Sequence, residues 1–191
     1  MSTRDSILAA AHSIYLSDGL LGLSMRKVAS QAGISATAIY RHFENKEEML
    51  FNLVVRGSEI FMEYLSRGLK GKTPKERLVL CGEAYCDFAL EHPSYYRILF
   101  MAPKEHLGLE RLNEMAANEF ACTFTFLVDR VRECMEANVL SQNEPEKVSA
   151  MLWAHNHGLC SLRLSNHLGV IDLKNFREMY TESCEAFLSS L

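Results

Sequence analysis

Residues 24–47 read SMRKVASQAGISATAIYRHFENKE, and this stretch predicts two short helices joined by a tight turn. Ser24 and Ser35 each precede a helical pattern, and serine is a preferred cap at the start of a helix. Gly33 lies between the two patterns, where a tight turn requires a positive φ that glycine adopts at little cost. We therefore expect one helix to begin at each serine and the turn to lie at the glycine.

Three apolar residues of this stretch predict how the two helices cross. Ala29 is small enough to let them approach closely, and Val28 and Ile39 are expected to face each other and fix the angle. Helical bundles that do not bind DNA contain similar hairpins. The geometry alone therefore leaves two alternatives open: a plain helical hairpin, or a helix-turn-helix whose second helix enters the major groove of DNA.

The charge distribution favours the helix-turn-helix. The whole chain carries 20 Lys and Arg against 24 Asp and Glu, a net charge of −4, which argues mildly against a nucleic-acid binder. Residues 19–43, however, contain no acidic residue, whereas Arg26, Lys27 and Arg41 fall within them. Contact with DNA phosphates requires such a local basic patch, so we predict that this part of the chain binds DNA.

The rest of the sequence also predicts helices, because no stretch alternates apolar and polar residues over the length of a strand. We expect helices over about residues 3–17, 24–31, 35–42, 45–66, 73–91, 93–102, 105–138, 145–167 and 172–190. The clearest start is Thr73-Pro74 with Glu76, which combines a cap, a first-position proline and a capping-box glutamate. The sequence thus predicts an all-α protein with an N-terminal helix-turn-helix DNA-binding domain (residues 1–48) and a C-terminal helical domain (residues 49–191).

Several classes of protein are not favoured. The six cysteines are scattered without Cys-x-x-Cys pairs or zinc-ligand spacing, which indicates reduced thiols in the cytoplasm. The N-terminus has no apolar signal-peptide core, and no stretch has the ~18 consecutive apolar residues of a membrane span. We found no nucleophile motif, phosphate loop or carboxylate–histidine motif. We expect no catalytic residue, cofactor, metal site or membrane partner.

Four motifs together resemble the DNA-binding domain of the TetR family of bacterial regulators: SMRKVA (24–29), AGIS (32–35), IYRHF (39–43) and NKE (45–47). Two later motifs resemble one branch of that family, namely His92-Pro93 followed by Tyr95-Tyr96-Arg97, and Trp153 followed by His157-Gly158. The resemblance implies a three-helix DNA-binding domain, a helical ligand-binding and dimerisation domain, and a role in transcription.

The resemblance also implies which residues contact DNA. The full predicted set is Ser24, Arg26, Ser35, Ala36, Thr37, Tyr40, Arg41, His42 and Lys46. Ala36 and Thr37 match positions that touch base edges, whereas Lys46 matches a phosphate contact, as do Tyr40 and His42. Phe43 is expected to lie in the core of the small domain. The family often has threonine where Ala38 stands, so one possible contact is missing here.

Two C-terminal patterns, together with the resemblance, predict a homodimer that binds a palindromic operator. The first is a strip of small residues on the penultimate helix: Ala150, Ala154, Gly158, Ser161 and Ser165. The second is an apolar face on the last helix: Leu173, Phe176, Tyr180, Cys184, Phe187 and Leu191. We expect the two helices to form a four-helix interface with a second copy, although the same faces would also serve packing within one chain.

The middle helices are rich in aromatic and sulfur-containing side chains, most of which are expected to be core. Because TetR-family proteins use this region to sense small molecules, we predict an effector site for an unidentified ligand. Its predicted residues are Phe61, Tyr85, Phe88, Phe100, Met115, Trp153 and His157. His155 and His157 point about 200° apart on a helix and are not expected to chelate one metal ion.

Three hypotheses about function follow. The first is a repressor released from its operator by a small-molecule effector. The alternative is a helix-turn-helix regulator without such an effector, controlled by a protein partner or by thiol oxidation. The third, an all-helical enzyme, lacks any motif in its favour.

Overall fold

The computed structural model describes residues 2–102, 113–169 and 175–191, without the side chains of residues 113–121. The described residues form helices and turns only, which confirms the all-α prediction. The α-helices are α1 (Thr3–Gly22), α2 (Met25–Gln31), α3 (Lys46–Leu65), α4 (Pro74–Glu91), α5 (Pro93–Phe100), α6 (Asn113–Glu136), α7 (Pro145–Leu164) and α8 (Phe176–Ser189). Two short 3₁₀ helices cover Ile39–Arg41 and Ser66–Lys70.

Capping side chains start the helices where the sequence predicts. The Thr73 hydroxyl accepts a hydrogen bond from the Glu76 N–H, and the Glu76 carboxylate accepts one from the Thr73 N–H, both at 3.2 Å. At the start of α3, Asn45 Oδ1 accepts from the Glu48 N–H at 2.8 Å. The Glu48 carboxylate in turn accepts a hydrogen bond from the Glu44 N–H at 2.6 Å.

The prediction that residues 35–42 form a regular α-helix, the second of the helix-turn-helix, is wrong. Its backbone N–H groups bond mostly three residues back, as in Arg41 N–H to Ala38 O at 3.1 Å and His42 N–H to Ile39 O at 3.0 Å. Ser35 Oγ also accepts from the Ala38 N–H at 3.1 Å. A segment this short does not offset the cost of starting an α-helix, so the tighter 3₁₀ pattern forms instead.

The chain divides into two compact units. The first comprises residues 1–58 and 94–119, and the second comprises residues 59–93 and 120–191. Helix α3 contributes residues to both. A functional division after residue 48 stays a prediction, because compactness does not test which residues bind DNA.

The core of the first unit is built from α1, α2, the 3₁₀ helix and the first half of α3. The buried side chains are Ile7, Ala10, Ala11, Ile14, Leu23, Met25, Val28, Ala29, Ile39, Phe43, Met49, Leu50 and Leu53. Val28 and Ile39 are both 0% exposed within this core, as expected of residues that hold two helices together. Helix α1 bends at Gly19, where φ is 67°, and the sequence predicts the end of the first helix at that residue.

In the second unit, α4 contacts α7 and α8, which also contact each other. Phe176 and Tyr180 of α8 are both 2% exposed, and Tyr180 Oη donates to the Gly82 carbonyl of α4 at 2.8 Å. Phe176 and Tyr180 are therefore used for packing inside the monomer, whereas Cys184, Phe187 and Leu191 of the same face are half-buried. The interface between α8 and a second copy stays a prediction. Leu173 and the predicted cap Asp172 lie outside the described residues.

Replacing Gly33 by alanine is expected to destabilise the protein by about 1–2 kcal/mol. Gly33 has φ +70°, and a Cβ there would meet no atom within 4 Å, so the cost is that of left-handed backbone rather than of a clash. Gly82→Ala is the matched control, because its Cβ would meet only Asn156 Nδ2 at 3.6 Å inside a helix. We expect that control to gain up to about 1 kcal/mol. Urea unfolding measures both changes, and equal effects would contradict the assignment of strain to Gly33.

Candidate nucleic-acid interface

Helix α2 separates an apolar side from a polar one. Ser24 caps it, with its Oγ accepting from the Lys27 N–H at 3.3 Å. Met25, Val28 and Ala29 point into the core. On the opposite side, Arg26 is exposed to solvent.

The turn after α2 has the hydrogen bonds of a helix that ends at a left-handed glycine. The Gly33 N–H bonds to the Ser30 carbonyl at 3.2 Å, and the Ile34 N–H bonds to the Ala29 carbonyl at 3.0 Å. This pattern satisfies the last carbonyl groups of α2 and reverses the chain direction. The turn thereby sets the angle at which residues 35–42 leave the core.

Residues 35–42 present a polar surface anchored by one buried side chain. Ile39 holds the segment in the core, and five of the predicted DNA contacts on the segment are exposed: Ser35, Ala36, Thr37, Tyr40 and Arg41. Tyr40 is 57% exposed, so its hydroxyl group is accessible to a partner. His42 is half-buried.

Two lysines near this surface have partners that the sequence does not reveal. Lys46 Nζ donates to the Leu20 carbonyl at 3.0 Å, across 26 positions of the chain. Lys27 Nζ forms an ion pair with Asp18, and this ion pair lowers the pKa of the Asp18 carboxyl group. Asp18 lies just before the acid-free residues 19–43, so part of the positive charge counted there is neutralised.

An open cleft of about 430 Å³ lies on the exposed side of α2. Its lining consists of Ser24, Arg26, Lys27, Ser30 and Gln31. Ser30 and Gln31 are absent from the set predicted from the sequence, although each lies one helical turn after Arg26 or Lys27 and hence on the same side. The cleft combines hydroxyl, amide and cationic donors, the groups that bind phosphate oxygens.

Phe43 belongs to the core, as predicted, with 1% of its surface exposed. The Arg4 guanidinium lies 5.0 Å from the centre of its ring and donates to Asn52 Oδ1 at 2.7 Å. Arg4 therefore connects the start of α1 to the segment that follows the 3₁₀ helix and to α3. The core contact of Phe43 and the bonds of Arg4 thus hold the segment that precedes α3, next to the exposed residues around Arg41, in place.

The predicted effector residues fall into two groups. Phe61, Tyr85 and Phe88 are buried together in the second unit, with the ring centre of Phe61 5.6 Å from that of Tyr85 and 4.9 Å from that of Phe88. Phe100 belongs to the first unit, where its ring lies 5.2 Å from Tyr96. The side chain of Met115 lies outside the described residues.

A polar pair borders the aromatic group of the second unit. Tyr85 Oη lies 3.2 Å from His157 Nδ1, and the rings of Trp153 and His157 are 6.1 Å apart. Burial lowers the pKa of His157, which favours a neutral imidazole near pH 7. Tyr85 thus connects the buried rings of Phe61 and Phe88 to His157 of α7.

The described residues contain neither a metal-binding cluster nor a helix suited to cross a membrane. Across residues 2–102, 113–169 and 175–191, no group of three or more His, Cys, Asp or Glu side chains is placed to hold a metal ion. His155 bonds instead to Ser183 Oγ at 3.2 Å and stacks on Phe187. Within the same residues, no helix has the length and apolar character needed to cross a membrane.

Known proteins resemble this chain in fold and in sequence. A protein with unknown function from Rhodococcus sp. RHA1 superposes with a TM-score of 0.83 at 24% identity, over 100% of this chain and 96% of that one. The SmeT–triclosan complex superposes with a TM-score of 0.74 at 21% identity, over 97% of this chain and 91% of that one. These likenesses establish the fold.

A relative from Bacillus subtilis (strain 168), the uncharacterized HTH-type transcriptional regulator YobS, is 23% identical over 126 residues, which are 66% of this chain and 63% of that protein. The chain spans less than two thirds of the length of the first curated relatives that it matches.

Two family descriptions match the sequence itself. "Bacterial regulatory proteins, tetR family" matches residues 7–53, and "Tetracyclin repressor-like, C-terminal domain" matches residues 78–187. The second match alone covers more than half of the chain. Both describe regulators, so the alternative of an all-helical enzyme is not supported. The chain belongs to the TetR family of bacterial regulatory proteins.

Proposed function

We propose that this protein is a cytoplasmic transcriptional repressor that binds a palindromic DNA operator as a homodimer. The observation that supports the proposal most strongly is that residues 24–46 have a buried apolar side and an exposed polar side. Their apolar side chains build the core, whereas the exposed side carries Thr37, Tyr40 and Arg41 beside the cleft lined by Arg26. Exposed side chains on a short segment anchored by Ile39 suit entry into a major groove, and neighbouring cationic and hydroxyl groups suit phosphates.

A strip on α7 supports the homodimer. Ala150 and Ala154 are exposed, Met151 and Leu162 are 41% and 43% exposed, and a Cβ on Gly158 would meet nothing within 4 Å. Small and apolar residues exposed along one helix let a second helix approach closely. The outward side of α8 instead carries three exposed glutamates: Glu178, Glu182 and Glu185. We therefore propose that α7 forms the centre of the dimer.

We further propose that a largely apolar effector releases the protein from DNA. The aromatic group of Phe61, Tyr85 and Phe88, with His157 as a hydrogen-bonding partner, supports this ligand class. SmeT has been solved with triclosan, which makes triclosan a first probe. Because α3 contributes to both units, movement at its far end would reach the DNA-binding residues. A coupling of about 1–3 kcal/mol, or about 5–150-fold in affinity, is sufficient.

The test combines operator selection with a reporter. Genomic fragments captured by the full chain should share a palindrome with half-sites about 10 base pairs apart, centre to centre, or a multiple of that spacing. A promoter that contains this palindrome should be less active when the protein is present. Captured fragments without a common sequence would contradict operator binding, and a rise in promoter activity would contradict repression. Calorimetry and DNA-release assays with triclosan and a panel of apolar compounds test the effector.

Replacing phosphate contacts is expected to weaken binding to all DNA sequences alike. Arg26→Ala should lower the slope of log affinity against log salt by about one unit. Lys27→Ala is the matched control, because Asp18 already neutralises that lysine and the slope should change less. Lys46→Ala should reduce both affinity and stability, since it also removes the bond to Leu20. Fluorescence anisotropy at several salt concentrations measures the slopes, and an unchanged slope for Arg26→Ala would place the interface elsewhere.

Replacing Thr37 by alanine is expected to relax the choice of base instead. A direct contact to a base edge is worth about 1–3 kcal/mol at its position, and the salt slope should stay the same because no phosphate contact is lost. Competition binding with operators changed at single base pairs measures the effect. A uniform loss of affinity at every position would show that Thr37 contacts the DNA backbone.

The second candidate is a DNA-binding regulator controlled by thiol oxidation rather than by a small effector. The observation in its favour is that the chain carries free cysteines, of which Cys122 is exposed. If no compound that binds the helical region alters DNA affinity, this candidate replaces effector control.

A further inference from the structure

Lys27 lines the cleft on the exposed side of α2, but a carboxylate already matches its charge. Lys27 Nζ donates a hydrogen bond to Asp18 Oδ2 of α1, and the two groups form an ion pair. The side chains of Lys27 and Asp18 are 48% and 36% exposed, so a phosphate from solution can reach the pair. Asp18 and a DNA phosphate therefore compete for the same ammonium group.

The chain between α1 and α2 is shaped to hold the Asp18 carboxylate in this position. Helix α1 loses its helical backbone at Gly19, where φ is 67° and ψ is −170°. A Cβ on Gly22 would overlap the Asp18 Cβ and would lie 3.4 Å from Asp18 Oδ2. Any side chain at position 22 would therefore displace Asp18, and the glycine leaves the space that the aspartate occupies.

The ion pair is present at neutral pH, because the Asp18 carboxyl group is ionised there. The hydrogen bond from Lys27 lowers the pKa of this carboxyl group below its usual value. Exposed ion pairs contribute little to the free energy of unfolding, because water and salt screen both charges. The effect of Asp18 is therefore expected on the binding of DNA rather than on stability.

The pair also changes what Lys27 contributes to the salt dependence of DNA binding. A cationic side chain that binds a phosphate releases a condensed cation, and each such contact steepens the slope of log affinity against log salt by about 0.9. A lysine that leaves a carboxylate for a phosphate releases that cation, but it leaves behind a negative charge that attracts another. Lys27 is therefore expected to add little to the slope, whether it stays with Asp18 or moves to DNA.

We propose that Asp18 holds Lys27 back from DNA and thereby limits the sequence-independent affinity of the protein. The inference rests on the proposed function, because it concerns the phosphate contacts of that same interface. Asp18 acts through Lys27 and is therefore a positioning residue. Removing its charge should give the interface one additional phosphate contact. Phosphate contacts carry no sequence information, so operator and unrelated DNA should both bind more tightly.

The test compares the original chain with Asp18→Asn, which keeps the shape of the side chain and removes its charge. Fluorescence anisotropy measures binding to a labelled duplex of unrelated sequence between about 50 and 200 mM salt. We expect Asp18→Asn to bind more tightly with a slope steeper by about 0.9, so its advantage should shrink about 3.5-fold over this range. An unchanged slope would overturn the inference and leave the proposed function standing, whereas absence of binding by both chains at low salt would overturn the two together.

A second comparison shows whether Asp18 acts through Lys27. On a Lys27→Ala background, Asp18→Asn should leave the slope unchanged, because the lysine that it frees is missing. A slope that steepens equally on both backgrounds would show that Asp18 only repels DNA, and it would overturn the assignment. Glu44→Gln is the matched control, because it removes one exposed carboxylate from the same unit, and we expect it to keep the original slope.

The ion pair itself is measured without DNA. NMR titration of the side-chain carboxyl groups should give Asp18 a pKa below its usual value in the original chain, and Lys27→Ala should raise that pKa. An Asp18 pKa that does not change in Lys27→Ala would overturn the pairing on which the inference depends.

Discussion

Replacing Ala154 by glutamate is expected to convert the proposed dimer to monomers and to lower operator affinity by about 100-fold or more. Ala154 lies on the exposed strip of α7. Across a twofold axis, each new glutamate would face the same glutamate of the second copy, and a close helix–helix contact leaves no room for these two like charges. Two linked DNA-binding units gain about 10²–10⁴ in affinity from binding together, and monomers lose that gain. Light scattering measures the mass, and anisotropy with labelled operator measures the affinity.

The matched control is Ala137→Glu, the same change at an exposed alanine just after α6. It adds the same charge to the same unit, away from the α7 strip in sequence, so mass and affinity should stay close to those of the original chain. A dimeric Ala154→Glu variant with full operator affinity would exclude α7 as the centre of the dimer. A monomeric variant that still binds the full palindrome as tightly would show that DNA binding does not require the dimer.

Truncating Ile39 to alanine is expected to unfold the part of the first unit formed by α1, α2 and the 3₁₀ helix, and to abolish operator binding. Ile39 is 0% exposed and anchors the segment that carries Thr37 and Arg41 to the core. Removing a fully buried isoleucine side chain costs about 2–5 kcal/mol, a large part of the 5–15 kcal/mol typical of a whole domain. Hydrogen exchange should show lost protection in α1 and α2, while α7 and α8 keep theirs.

Ile39→Val is the control, because it removes one methylene and costs only about 0.5–1.5 kcal/mol. We expect this variant to keep operator binding and amide protection. If Ile39→Ala lost operator binding with unchanged stability, Ile39 would contact the DNA directly, and the assignment of this residue to the core would fail. Circular dichroism with urea titration separates the two outcomes.

Local features were predictable because their partners are close along the chain. The cap at Thr73 needs only Glu76, and the positive φ at Gly33 satisfies a turn that spans five residues. The apolar pattern around Val28 and Ile39 is similarly sufficient to place both side chains in one core. The exception is residues 35–42, where helical propensity and an N-terminal cap suggest an α-helix, but the segment forms turns and the 3₁₀ helix Ile39–Arg41.

Contacts between distant residues could not be predicted, because a periodic pattern shows that a face is apolar without showing what covers it. The apolar face of α8 suited a second copy as well as it suited α4, and only packing placed Tyr180 against Gly82. In the same way, tertiary structure alone brought Lys46 to the carbonyl of Leu20 and the hydroxyl of Tyr85 to the imidazole of His157. The sequence by itself determined the helices, the turn at Gly33 and the resemblance to a DNA-binding family. Which charges are paired near the interface and which helix face remains open were decided by the tertiary structure, since each depends on partners that local propensity does not specify.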